Sequence, residues 1–162
     1  MTYQCKHFKI QELVTPEMYS AWGERCWSLF DDRLLRTLDA LRDRFGSCVI
    51  NDWAWGGSFK YSGFRDELFY GSVEKYLASR SQHKYGRAAD CKFKHHSASD
   101  VRKYVLQHPG EFPYVTFIEC SPLADGSAMT WFHFDVRNSD DVVCWSPNEG
   151  YVSNEEVIRQ NL

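Results

Sequence analysis

Residues Trp131-Phe132-His133-Phe134-Asp135-Val136-Arg137 alternate between two sets of side chains. Successive side chains of a β-strand leave on opposite faces. Phe132, Phe134 and Val136 therefore point into a core. Trp131, His133, Asp135 and Arg137 point the other way, onto a polar, accessible face. The same parity on residues 88–93 buries Cys91 and Phe93 and turns Asp90 away from the core. A fold that satisfies both runs needs a sheet with one apolar face and one face free for chemistry.

Asp90 closes the run Ser81-Gln82-His83-Lys84-Tyr85-Gly86-Arg87-Ala88-Ala89-Asp90. Gly86 supplies a tight turn through which His83 and Asp90 converge. With His133 they offer two imidazoles and a carboxylate. Three protein ligands leave a fourth tetrahedral position for water, the pattern of a catalytic rather than a structural Zn2+ site. His2Asp ligation also accepts other divalent ions.

The remaining elements follow from capping and periodicity. Thr15-Pro16-Glu17 opens a helix, with Thr as cap and Pro at the first position. A second helix runs from about Asp32 to Phe45, its stripe of Leu34, Leu38, Leu41 and Phe45 ended by Gly46. Cys48-Val49-Ile50 reads as a short strand. Residues 54–80 read as a long loop, punctuated by Gly56-Gly57 and Ser62-Gly63. Residues 88–93 read as a strand. Ser97 caps a helix through Val101, Tyr104 and Val105 that Pro109-Gly110 stops. Residues 114–120 and 130–136 are strand-like, and Pro122 with Asp125-Gly126 marks the turn of an antiparallel hairpin. Ser153-Asn154-Glu155-Glu156 opens a terminal helix. This mixture predicts an α+β fold with a mostly antiparallel sheet flanked by helices. With the hairpin turn centred near Asp125, Glu119 lies opposite Trp131 and diagonal to His133, on the same face. A one-residue slip would turn it away.

The pattern Ser-x-His-x-x-Gly-x-Ala-x-Asp over residues 81–90, followed by Trp131-x-His133, resembles the zinc D-alanyl-D-alanine carboxypeptidase and L-alanyl-D-glutamate endopeptidase family. Its fold is shared with the hedgehog signalling domain. Ser62-Gly63-Phe64-Arg65 is similar to that family's Ser-Gly-Tyr-Arg segment. The likeness covers about residues 8–137 of a single domain spanning 1–162 and leaves 138–162 as a C-terminal extension. It is greatest to the small phage-encoded branch. The resemblance implies that His83, Asp90 and His133 bind zinc. It also implies that Arg65 steadies the substrate carbonyl or carboxylate as negative charge develops, and that the substrate is a stem peptide of bacterial peptidoglycan.

Many members carry a catalytic Glu or Asp three residues before the last His. Here Thr130 stands there and cannot act as a general base. Either Glu119 or Asp135 supplies the base, or the domain holds metal without cleaving. Glu119 is the preferred base, with Arg65 beside it as the catalytic cation. Asp135 and Ser81 are read as partners behind the ligands, Asp135 orienting an imidazole or Arg65. The expected protein is a zinc metallopeptidase, a phage endolysin or a virion-associated lysin. The alternative is an inactive metal-binding virion or binding protein on the same scaffold.

Composition narrows the partners. A net charge of −3 over 162 residues gives no electrostatic case for nucleic acid or an anionic membrane surface. No stretch approaches transmembrane length, and the N-terminus lacks a basic-then-apolar signal pattern. The expectation is synthesis in a host cytoplasm and action on the cell wall after release or within a virion, with virion proteins as further partners. The six cysteines are scattered and read as mostly buried thiols. His95-His96 reads as a solvated loop, because neighbouring side chains on an extended segment diverge. Trp53, Trp55, Phe59 and Tyr61 fit either a substrate groove or packing beneath a loop.

Overall fold

A computed structural model describes residues 2–162 of the chain. Thr15 caps helix α1 (Pro16–Trp22) through a hydrogen bond from the Met18 amide. Asp31 caps α2 (Asp32–Phe45), and Gly46 ends it at φ 76°. Strand β1 (Cys48–Val49) follows. Residues 54–80 are not one open loop: they hold two short helices, α3 (Glu67–Tyr70) and α4 (Val73–Ala78). Asp66 and Ser72 cap them, but neither helix is long enough to show an apolar stripe. Strand β2 (Ala88–Phe93) and α5 (Ala98–Gln107, capped by Ser97) match their expected bounds closely. Strands β3 (Phe117–Glu119), β4 (Phe132–Asp135), β5 (Val143–Ser146) and β6 (Gly150–Val152) precede α6 (Asn154–Gln160), which Ser153 caps.

The six strands form one open sheet in the order β1-β2-β4-β3-β5-β6. Every pairing is antiparallel except that of β3 with β5. The fold is therefore mixed α and β, with a mostly antiparallel sheet. Residues 138–162 do more than trail the sheet: they add β5 and β6 to its edge. Val142-Val143-Cys144-Trp145 followed by Asn148-Glu149-Gly150 carries an ordinary hairpin signal, which sequence reasoning passed over.

One face of the sheet is the core. Ala89, Phe134, Ile118, Cys144 and Val152 fall in register across five strands, and all are buried. Leu34, Leu38, Leu41 and Phe45 of α2, Val101 and Val105 of α5, and Val157 of α6 join the same buried cluster. Five of the six cysteines are buried, Cys5 is half-buried, and none is bonded to another. Among the described residues, no helix is long and apolar enough to cross a membrane.

The hairpin register differs from expectation by two residues. Phe117 pairs with Asp135 and Ile118 with Phe134, which carries Glu119 to the level of His133 rather than Trp131. The reason lies in the connection. Met129 tucks into the interior, its amide donates to Ser121 Oγ, and its carbonyl accepts from Arg102, so the approach to β4 leaves the ladder. A shift of two preserves parity, so Glu119 keeps its face.

Candidate metal centre

The second face of the sheet carries the site. Asp90 of β2 pairs directly with His133 of β4. His83 reaches them from a 3-10 turn over Gln82–Tyr85, closed by Gly86 at φ 63°. A Cβ at Gly86 would stand 2.0 Å from the Leu29 carbonyl oxygen, so both conformation and space require glycine there.

Three atoms converge. His83 Nε2 lies 3.3 Å from His133 Nδ1 and 3.4 Å from Asp90 Oδ1, and His133 Nδ1 lies 2.7 Å from Asp90 Oδ1. Tetrahedral zinc with bonds of 2.0–2.1 Å spaces its ligand atoms about 3.3–3.4 Å apart. Two edges match that spacing, and the third is the length of a hydrogen bond. Among the described residues, these three form the one group of three or more His, Cys, Asp or Glu side chains able to hold a metal ion, and all three are buried.

The segment Ser62-Gly63-Phe64-Arg65 fastens both early ligands. The Asp90 amide donates to the Ser62 carbonyl at 2.8 Å. His83 Nδ1 donates to the Gly63 carbonyl at 2.7 Å, which leaves Nε2 as the lone-pair nitrogen facing the cluster. The Arg65 amide donates to the His83 carbonyl, and its guanidinium donates to Asp90 Oδ2 at 2.8 Å. Arg65 is itself aimed by a bond from Nε to the Tyr61 carbonyl and by the ring of Phe69, 4.6 Å from its Cζ. Its direct partner is thus a metal-ligand candidate, a contact the sequence reading did not foresee.

Electrostatics put His83 and Asp90, but not His133, in their ligating forms. Burial pushes the His83 imidazole below its ordinary range and so keeps it neutral. Burial alone would raise Asp90, but the two imidazoles outweigh it and hold the carboxyl well below the usual range. For His133, burial opposes the charged ring, yet the hydrogen bond to Asp90 and the nearby carboxylates raise it. A neutral nitrogen donor and an ionised carboxylate are the forms a divalent cation takes, so binding requires His133 to release the Nδ1 proton it shares with Asp90.

The ligands open into a cavity of about 580 Å³, whose wall includes Arg65, Ser81, Glu119, Asp135 and Arg137. The three candidate ligands, the candidate base Glu119, and Arg65, Ser81 and Asp135 therefore meet in one place. The Glu119 carboxylate makes no hydrogen bond or ion pair among the described residues. Asp135 is engaged elsewhere: its carboxylate accepts from Arg137 Nε at 2.8 and 3.1 Å, and the Arg137 guanidinium lies 3.6 Å above the Phe117 ring. Its partner is thus Arg137, not an imidazole or Arg65, because parity sets Arg137 on its own face of the chain. Thr130 is exposed and outside the cavity wall. His95 and His96 are exposed too. Trp53 packs beside Tyr19 and donates to the Val14 carbonyl, and none of Trp53, Trp55, Phe59 or Tyr61 lines the cavity. Trp145 does, and was missed because β5 was missed. No protein-family model, curated protein or solved structure matches the chain.

Proposed function

We propose that the chain is a zinc-dependent peptidase of the D-Ala-D-Ala carboxypeptidase or L-Ala-D-Glu endopeptidase type. It would have the hedgehog-like fold of that family and act on peptidoglycan stem peptides as a phage endolysin or virion-associated lysin. One observation carries the reading: the convergence of His83 Nε2, Asp90 Oδ1 and His133 Nδ1 beside a carboxylate, Glu119, that no protein group engages. Zinc held by those three atoms would supply Lewis acidity toward a scissile carbonyl and an attacking water. Glu119, on the neighbouring strand and on the ligand face, takes the proton of that water and delivers it to the leaving amine. Arg65 orients Asp90 through its bond to Oδ2, and it borders the cavity where negative charge develops on the carbonyl oxygen.

The test is metal analysis of the purified protein and incubation with peptidoglycan, alongside Glu119→Gln. New amino termini from the wild type, absent from the variant at equal zinc content, support the peptidase. Zinc without cleavage favours a metal-holding virion or binding protein. No metal after zinc is supplied overturns both.

A further inference from the structure

The pairings draw a line across the sheet. Asp90 pairs with His133, the next step of the β3–β4 register brings Glu119 beside His133, and Glu119 pairs with Trp145 on β5. Opposed residues share a face. Two of the candidate ligands, the candidate base and one indole thus form a single row, one residue per strand. Trp145 lines the cavity yet is 44% exposed, a wide apolar surface that contributes little to the core. Its Nε1 has no protein acceptor among the described residues. The ring is propped rather than loose: a Cβ at Gly150 would stand 3.6 Å from Cη2, so the indole edge rests on the glycine of β6. Trp145 lies in the extension, beyond residues 8–137 that carry the family likeness.

We infer that Trp145 is a specificity-determining platform that takes an uncharged sugar ring, the muramic residue to which a stem peptide is attached. The inference rests on the peptidase reading. An exposed aromatic face with an N–H at its rim suits the C–H face and hydroxyl or acetamido groups of a pyranose. Glu119, one strand away, disfavours an anionic part of the substrate at this position. Length agrees as well. Two strand spacings separate His133 from Trp145, about 10 Å. Two extended units, one alanyl and one lactyl, reach about 7 Å, and the ring itself fills the rest. The bond presented to the metal is then the one between L-Ala and D-Glu, near the sugar, rather than the terminal D-Ala–D-Ala bond.

The experiment uses zinc-loaded protein carrying Glu119→Gln, to prevent turnover, with and without Trp145→Ala. Calorimetric titration compares a muramoyl tetrapeptide with the same tetrapeptide lacking the sugar. The sugar is expected to tighten binding about tenfold, Trp145→Ala to erase that ratio, and Trp145→Phe, as the folding control, to keep most of it. Equal binding of the two ligands, or a ratio that survives Trp145→Ala, overturns the platform. Cleavage is scored separately with Glu119 intact. A preserved ratio without new amino termini sinks the peptidase and leaves the platform standing. Cleavage without a ratio does the reverse.

Discussion

The Nδ1 proton of His83 is held by the carbonyl of Gly63 at 2.7 Å, twenty residues away in sequence. Gly63 is pressed against the chain on its other side, where a Cβ would lie 2.2 Å from the Leu13 carbonyl oxygen. Gly63→Ala is expected to push the segment away from His83 and release its imidazole. Loss of such an orienting bond lowers metal affinity by roughly 10- to 100-fold. Competition with a chromophoric chelator measures it, and Thr130→Ala serves as the neutral control. An affinity within twofold of wild type would detach Gly63 from the site.

Among the described residues, the one carboxylate that Arg65 contacts belongs to a candidate ligand. The guanidinium engages the oxygen of Asp90 that faces away from the cluster. Arg65→Ala is therefore expected to weaken zinc binding about tenfold, and cleavage measured at saturating zinc should recover part of its loss. Arg65→Lys keeps the charge but loses the fork that spans Tyr61 and Asp90, so it should fall between the two. Unchanged zinc affinity with a raised KM would instead place Arg65 on the substrate.

Parity made the site legible in the sequence. Once residues 131–137 were read as a strand, the faces of His133 and Asp135 followed, and a period of two is insensitive to the exact register. That is why Glu119 kept its face although its partner shifted from Trp131 to His133. Thr15, Ser97 and Ser153 cap their helices where local chemistry placed them. Other features depend on contacts remote in sequence. The grip of Ser62–Arg65 on both ligands involves backbone carbonyls that have no residue signature. The retreat of Met129 from the ladder depends on Arg102 beneath it. The β5–β6 hairpin was visible in composition but lay beyond the recognised pattern.

Asp31 predicts an acid-side effect. Its hydrogen bonds with Arg33 lower its carboxyl below the ordinary value against the opposing pull of burial. It also caps α2, and its own amide donates to the Gly86 carbonyl beneath the metal-site turn. A folded value below the unfolded one gives stability that is present above about pH 3.9 and lost as pH falls through the folded value. Asp31→Asn keeps a good cap but removes the ion pair, at a cost of about 1 kcal/mol after solvent screening. Urea midpoints at pH 6 should separate the two proteins, and at pH 3 the gap should narrow. A constant gap would exclude ionisation as its source.

Arg102 is fully buried, and among the described residues no Asp or Glu side chain pairs with it. Its guanidinium donates instead to three main-chain oxygens: Nε to Leu162, Nη1 to Trp131 and Nη2 to Met129. Burial pulls its pKa down to about 10, which still leaves it charged at neutral pH. It therefore pins α5 to both the approach to β4 and the end of the chain after α6. Arg102→Met removes a costly buried charge but strands up to three acceptors, each worth about 1–3 kcal/mol when buried and unpaired. The net loss is expected to be about 2–4 kcal/mol, read as a lower urea midpoint. Arg102→Lys, which reaches fewer of the three oxygens, should recover part of it. Zinc affinity should change little, because these bonds hold the strand's approach rather than the ligand atoms. A variant as stable as wild type would show that the arginine's desolvation cancels its bonds.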